Sequence, residues 1–131
     1  MAESIIQYAK AVQEMLLDNE AEFSFVPEFS LPDVRIKRCM VVPMGIEQKI
    51  VSRLSVERNF RIDVALLHKI KTDAEIEKLL TDLELLSTRF LSEKILSGLC
   101  IKADFSPLYS PDMIMEKNLF VGVISLTVKV V

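Results

Sequence analysis

The feature that most constrains the fold of this sequence is an alternation of apolar and polar side chains between Arg35 and Ile70. The odd-numbered positions of this segment carry most of its charges. The even-numbered positions carry most of its apolar residues: Ile36, Met40, Val42, Ile50, Leu54, Val56, Phe60, Ile62, Val64 and Leu66. A period of two is typical of strands that place one face on a core and the other in solvent.

Breaks in the alternation predict how this segment divides. One break falls at Pro43-Met44-Gly45, and another falls near Arg58-Asn59. We therefore predict three antiparallel strands, at about residues 35–42, 48–57 and 60–70, of which the last two form a long hairpin with a tight turn.

Two helices are predicted on either side of this β segment. Residues 3–19 repeat apolar side chains at three- and four-residue steps, which places them on one stripe of a helix. A longer helix is predicted after Thr72, because Thr72 and Glu75 have the spacing of a capping box. Its apolar side comprises Ile76, Leu79, Leu80, Leu83, Leu86, Phe90, Leu91 and Ile95. Gly98 follows where a left-handed C-terminal residue is expected.

Shorter elements are predicted in the remaining segments. Residues 22–29 alternate briefly, and Pro27 restricts them to an edge strand or a bulge. Another strand is predicted at residues 99–105. Ser110-Pro111 is typical of a helix start, so a short helix is predicted at 111–117.

The final segment, Leu119 to Val131, is apolar at both parities. Even-numbered residues from Phe120 to Val130 would face the core, and three apolar residues have the opposite parity: Leu119, Val121 and Val123. A strand that is apolar on both faces requires cover on both faces. In a domain with two main helices, the second cover would be another copy of the protein. Leu119, Val121 and Val123 are therefore candidate subunit-interface residues.

Together these elements predict an α+β protein with a mostly antiparallel sheet and a long helix packed across it. The predicted order is α-β-β-β-β-α-β-(short α)-β. The 131 residues fit one domain, 1–131, because domains typically contain about 100–200 residues. Half of the residues are apolar, which excludes a disordered chain. No apolar stretch approaches the roughly 18 residues of a membrane span, so no membrane partner is expected.

Charge is segregated along the chain behind a net charge of −3. Residues 1–34 carry one base and seven acids, residues 35–71 nine bases and three acids, and residues 72–98 three bases and six acids. Three interpretations are open. The first is a solvated sheet face, screened within about 8–10 Å. The second is a basic sheet that meets the acidic helices of a neighbouring subunit, with Arg53 and Arg61 as candidate interface residues. The third is nucleic-acid binding, which is the least favoured because the pI is not above ~9 and no aromatic RNP pair or zinc spacing occurs.

The sequence offers little chemistry for an enzyme. It has no GxGxxG, P-loop, HExxH or GxSxG motif. Cys39 and Cys100 have no metal or redox spacing and lie in β segments, where a thiol behaves as a small buried hydrophobe. The alternative is a nucleophile with His68, the only histidine, as its base. Asp63 and His68 have opposite parity in one strand, which argues against a dyad. We predict no catalytic residues, no cofactor and no metal site.

Three phrases carry a resemblance to a known family. They are Arg61-Ile-Asp-Val-Ala65 before the long helix, Asp104-Phe-Ser-Pro-Leu-Tyr-Ser-Pro-Asp112 after it, and Phe120-Val-Gly-Val-Ile-Ser-Leu-Thr-Val128 at the end. With the order of elements, they resemble the small head-to-tail joining proteins of tailed bacteriophages and prophages, particularly tail terminators. The resemblance spans nearly the whole chain.

The resemblance implies a structural role in the virion, at its neck or tail end, after synthesis in the host cytoplasm. Members of this family form a homo-oligomeric ring, usually of six subunits, that caps the tail tube and docks to the head connector. DNA passes through such a ring without being read. The family has no catalytic residues to transfer to this chain.

A second hypothesis comes from a different class of protein. The chain would be a small α+β binding module, or an unrecognised enzyme, that acts as a monomer or dimer. The mass in solution distinguishes the two hypotheses, because only the first expects a ring.

Overall fold

The computed structural model describes residues 4–18, 28–29, 31, 39–53, 55–69, 73–108 and 119–130. The elements are α1 (Ile5–Leu17), β1 (Glu28–Phe29), β2 (Cys39–Ser52), β3 (Ser55–Lys69), α2 (Asp73–Phe90), β4 (Lys94–Ile95), β5 (Gly98–Leu108) and β6 (Leu119–Val130). The strands form one sheet in the order β1-β2-β3-β6-β5-β4. Every pairing is antiparallel except that of β1 with β2. The predicted α+β class with a mostly antiparallel sheet is confirmed.

Both helices pack on the same face of the sheet. α1 contacts β1, β2 and β3, and α2 contacts β5 and β6. The core between them contains Tyr8, Val12 and Leu16 from α1, Leu79, Leu83, Leu86 and Phe90 from α2, and alternate residues of the strands: Cys39, Val41, Phe60, Ile62, Val64, Leu66, Ile124, Leu126 and Val128. Within the described residues, neither helix is both long and apolar enough to cross a membrane.

The start of α1 is fixed by a reciprocal cap. The Ser4 hydroxyl accepts a hydrogen bond from the Gln7 backbone N–H at 3.3 Å, and the Ser4 N–H donates to the Gln7 side chain at 2.7 Å. These bonds satisfy donors that the first helical turn leaves without partners. One turn later, Tyr8 stacks on Phe60 with 4.5 Å between the ring centroids, and its hydroxyl lies 3.1 Å from the Ser97 hydroxyl.

The predicted division of residues 35–70 into three strands is wrong. β2 runs without interruption through Pro43-Met44-Gly45, where the register shifts by one extra residue. The chain turns at Arg53, five residues before the predicted break at Arg58-Asn59. Asn59 instead pairs with Glu47 in the middle of a long hairpin. A bulge accommodates the proline within a strand, which is why Pro43 does not end β2.

The bulge also inverts the side-chain pattern of β2. Before it, the odd-numbered Cys39 and Val41 are buried in the core, and Met40 and Val42 lie on the other face of the sheet. After it, the even-numbered positions return to the core side, because Ile46 pairs with the buried Phe60. The expectation that Met40 and Val42 face the core is therefore wrong.

The C-terminal boundary of α2 also differs from the prediction. The helix has 18 residues and ends at Phe90, so Leu91 is exposed and Ile95 is a buried residue of β4. Ser92, not Gly98, takes the left-handed conformation, with φ of 66°. Gly98 begins β5, where an added Cβ would lie only 2.6 Å from Val128 Cγ1. The glycine is required by close packing and not by a helix end.

Three predicted features lie outside the described residues. They are most of the strand at 22–29, of which only Glu28–Phe29 is described, the cap residue Thr72 and the short helix at 111–117.

Candidate interaction surface

The face of the sheet opposite the two helices has no helix on it in the described part of the chain. We call it the helix-free face. It is formed by the odd-numbered residues of β3 and β6 and by the side chains that pair with them on β2 and β5. Its composition changes along the strands, from an apolar half to a charged half.

The apolar half lies at the end of the sheet where β6 begins. Its members come from three adjacent strands and are all half-buried: Met40, Val42, Ala65, Leu67, Val121 and Val123. The register aligns Met40, Ala65 and Val123 in one row across the sheet. The predicted interface residues Val121 and Val123 therefore lie next to further apolar side chains. The side chain of Leu119 lies outside what the structure describes.

The charged half centres on Glu57. One carboxylate oxygen of Glu57 lies 2.9 Å from Lys129 Nζ, and the other lies 3.5 Å from Lys49 Nζ. The Glu57 side chain is only 13% exposed. A hydrogen bond from Lys129 is the main cause that lowers the pKa of the Glu57 carboxyl from 4.5, with smaller contributions from the charges of both lysines. One carboxylate thus joins strands β2, β3 and β6.

The structure does not bring the two predicted interface arginines into one patch. Arg61 is exposed in the middle of β3, opposite Thr127 on the helix-free face. Arg53 lies at the β2–β3 turn and is also exposed. They belong to two separate parts of the surface.

The charges on the helix-free face balance in number. Across β2, β3, β5 and β6, its described bases are Lys49, Arg61, Lys102 and Lys129, and its described acids are Glu47, Glu57, Asp63 and Asp104. Lys102 and Asp104 pair at 3.3 Å. Binding to nucleic acid depends on an excess of basic side chains near the phosphates. This balance does not favour a phosphate-binding surface.

The β2–β3 hairpin extends beyond the rest of the sheet. The last pair between β3 and β6 is Arg58 with Val130, and Arg58 pairs with Gln48 on β2, so residues 49–57 project past it. We call these residues the hairpin tip. Among its described residues, the tip carries three exposed apolar side chains, Ile50 at 78%, Val51 at 61% and Val56 at 49% exposure. This is an unusual concentration of apolar surface on a two-stranded projection.

Both thiols are buried, as predicted. Cys39 and Cys100 are each 1% exposed. Burial, with a smaller contribution from Glu28, raises the pKa of the Cys39 thiol to about 12. Burial also raises the pKa of Cys100. Because the thiolate is the reactive form, these thiols lack the character of a nucleophile. The side chain of His68 lies outside the described residues. Among the described residues, no group of three His, Cys, Asp or Glu side chains could hold a metal ion.

Two features were not predicted from the sequence: the ion pairs of Glu57 with its two lysines, and the hairpin tip. Lys129 and Glu57 are 72 residues apart, and only the β3–β6 register makes them neighbours. The hairpin tip had a usable signal in the sequence: the apolar alternation continues through Ile50 and Val56. In the described part of the chain, no third strand pairs with the hairpin at these residues.

No protein-family model matches the chain, and a search of curated proteins finds no significant match.

Proposed function

We propose that this protein is a structural subunit of a phage tail terminator or head-to-tail joining ring. In this role it caps the tail tube and docks to the head connector. The proposal combines the resemblance of residues 61–65, 104–112 and 120–128 with one observation, which is the composition of the helix-free face.

That observation is an apolar half next to a charged half on a sheet face without a helix. Interfaces typically have an apolar centre with polar and charged residues around it. Val121 and Val123 supply such a centre together with Met40, Ala65 and Leu67. A neighbouring subunit would remove the exposed part of these side chains from water, at about 25 cal/mol per Å² of apolar area.

Charge also favours association in which unlike surfaces meet. The two helices and the C-cap of α1 expose a small excess of acidic side chains: Glu14, Asp18, Glu77 and Glu84 against Lys10, Lys78 and Arg89. The basic Arg53 and Arg61 are exposed on other parts of the molecule. A contact between two different surfaces of the same chain is heterologous, and it produces a ring when its rotation closes.

The test is the mass of the purified protein, alone and after addition of tail tubes, by native mass spectrometry and light scattering. We expect a discrete ring of several subunits in at least one of the two conditions. Val123→Asp should prevent it, because a charge would replace an apolar contact within the apolar half of the face. Val123→Thr is the matched control, since it keeps the shape of the side chain and the strand propensity.

Two results would contradict the proposal. One is a wild-type protein that stays monomeric in both conditions. The other is a ring that Val123→Asp leaves intact while its circular dichroism and unfolding midpoint match those of the wild type. A monomer that binds a small molecule would support the second hypothesis, a small α+β binding module.

A further inference from the structure

The hairpin tip has apolar side chains on the core side of its strands, and no described helix packs on them. Ile50 and Val56 are directly opposite each other in the β2–β3 pairing, and they lie on the side of the strands that carries Phe60 and Ile62. Near Phe60 this side is covered by α1. Towards the turn it is open, and Val51 adds an apolar side chain at the register shift between Ile50 and Ser52. A two-stranded hairpin without a packed face is only marginally stable, so this face suits a partner.

A cleft of matching character lies between the ends of the two helices. It has a volume of about 180 Å³ and is lined by Met15, Leu16, Leu86, Phe90, Arg89 and Glu93. A cavity of about 150 Å³ is large enough for a ligand the size of benzene. The cleft can therefore take a branched aliphatic side chain such as that of isoleucine. Its mouth is polar, because Arg89 and Glu93 are both exposed.

The electrostatics of the cleft favour a cation next to the apolar side chain. α1 ends at Leu17 and α2 at Phe90, so the C-termini of both helices lie at the cleft. A helix C-terminus carries a partial negative charge that stabilises nearby cations. The last turn of α1 contains no basic residue. The exposed Asp18 and Glu93 add two negative charges, which exceed the single positive charge of Arg89 in the last turn of α2. The hairpin tip offers the complementary group, since Arg53 lies at its turn, three residues after Ile50.

We propose that the hairpin tip of one copy of this protein inserts into the cleft between the helices of a second copy. Ile50 and Val51 occupy the apolar floor between Leu86 and Phe90. The guanidinium of Arg53 lies at the mouth near the helix C-termini, Asp18 and Glu93. The contact joins two different surfaces of the chain, so it runs head to tail.

This contact rests on the proposed function in one respect, which is that copies of the chain associate head to tail. It does not depend on the helix-free face. It specifies which two surfaces meet in that association, namely the hairpin tip of one copy and the cleft of the next.

The test is cross-linking between two single-cysteine variants, Ile50→Cys and Glu93→Cys, mixed under the conditions in which the wild type associates. Cys39 and Cys100 are buried, so a short bismaleimide reacts with the introduced thiols. We expect a covalent dimer that contains one chain of each variant. The matched control is Ile50→Cys mixed with Lys102→Cys, whose new thiol is exposed on the helix-free face, and it should yield at most a trace of that mixed dimer.

A second variant measures the contribution of the tip itself. Ile50→Ser should weaken association about 10- to 100-fold, the effect of losing one buried aliphatic side chain. Its fold should be unchanged, because Ile50 is exposed in the single chain.

The outcomes separate this contact from the proposed function. A ring with unchanged affinity in Ile50→Ser and no Ile50→Cys/Glu93→Cys dimer would overturn the contact and leave the ring proposal standing. Cross-linking of Ile50→Cys with itself alone would show a symmetric tip-to-tip contact and would also overturn it. A wild type that is monomeric even with tail tubes would refute both.

Discussion

Glu57 illustrates how one side chain can hold three strands in register. Its two carboxylate oxygens contact lysines on β2 and β6, and it lies on β3 between them. Because these contacts favour the ionised form, the pKa of Glu57 is lower in the folded protein than its ordinary value of 4.5. The stabilisation is therefore fully present above about pH 4.5 and is lost as the pH falls through the lower pKa of the folded state.

Replacement of Glu57 by Gln should lower the urea midpoint at pH 7. The difference in urea midpoint between the variant and the wild type should become smaller as the pH falls. The difference narrows because protonation removes the same charge from wild-type Glu57 that the substitution removes. The measurement is a series of urea unfolding curves between pH 7 and pH 2. Glu47→Gln is the control, since Glu47 is an exposed carboxylate on the same face without an ion pair in the described part of the chain. A difference in urea midpoint between Glu57→Gln and the wild type that stays constant down to pH 2 would contradict this account.

At the same scale, the two cysteines and Gly98 show where prediction from sequence succeeds and where it fails. Burial of Cys39 and Cys100 followed from their apolar surroundings in the sequence. The role of Gly98 did not, because its neighbour Val128 is 30 residues away and only the pairing of β5 with β6 brings them together. A glycine after a helical pattern predicts a helix end, and nothing local shows that the space for a Cβ is already filled.

At the scale of elements, the packing of α2 on the sheet can be tested with two neighbouring leucines. Leu83 is fully buried between α2 and the strands, and Leu85 on the same helix is 44% exposed. Leu83→Ala should reduce the free energy of unfolding by about 2–5 kcal/mol. Leu85→Ala should change it by about 0.5 kcal/mol or less. Chemical denaturation of both variants gives the comparison, and equal losses would mean that α2 does not pack as described.

The helices were easier to predict than the strand boundaries. The apolar stripes of α1 and α2 are local signals that survive in the fold. The observed hairpin turn lies at Arg53, and arginine is not a residue type favoured in turns. The predicted break at Arg58-Asn59 contains an asparagine, which is typical of turns. Pairing between β2 and β3 over most of their length, and between β3 and β6, outweighs that local preference. The turn therefore lies at Arg53, where β2 and β3 can pair over most of their length.

At the scale of the whole molecule, the separation of charge predicts how association responds to substitution and to salt. The double variant Arg53→Glu/Arg61→Glu should weaken association about 2- to 30-fold, because two exposed ion pairs each contribute about 0.2–1 kcal/mol. Rising salt should reduce the difference from wild type. Light scattering at several salt concentrations measures both effects.

The control for this charge reversal is Lys78→Glu, which makes the acidic α2 more acidic and should not weaken association. Its side chain is exposed, so the fold should be unaffected. Association that is insensitive to the double variant, or equally sensitive to Lys78→Glu, would refute the electrostatic contribution.

The fold class and part of the candidate interaction surface were predictable from sequence, while the full extent of that surface was not. Two-sided apolar character in β6 was enough to identify Val121 and Val123 as residues that do not belong to the helix-covered core. Met40 and Val42, which extend the same patch, were assigned to the wrong face. The cleft between the helices and the proposed contact with the hairpin tip depend on tertiary geometry that no local pattern encodes.

The extra residue at Met44 changes the phase of β2, and this has a consequence for the history of the chain. A deletion of one residue at this point would turn the first part of the strand over, so that Cys39 and Val41 left the interior and Met40 entered it. Substitutions there would be far milder than changes in length. Homologous sequences should therefore vary in which amino acids occupy 43–45 while preserving the number of residues between the two halves of the strand.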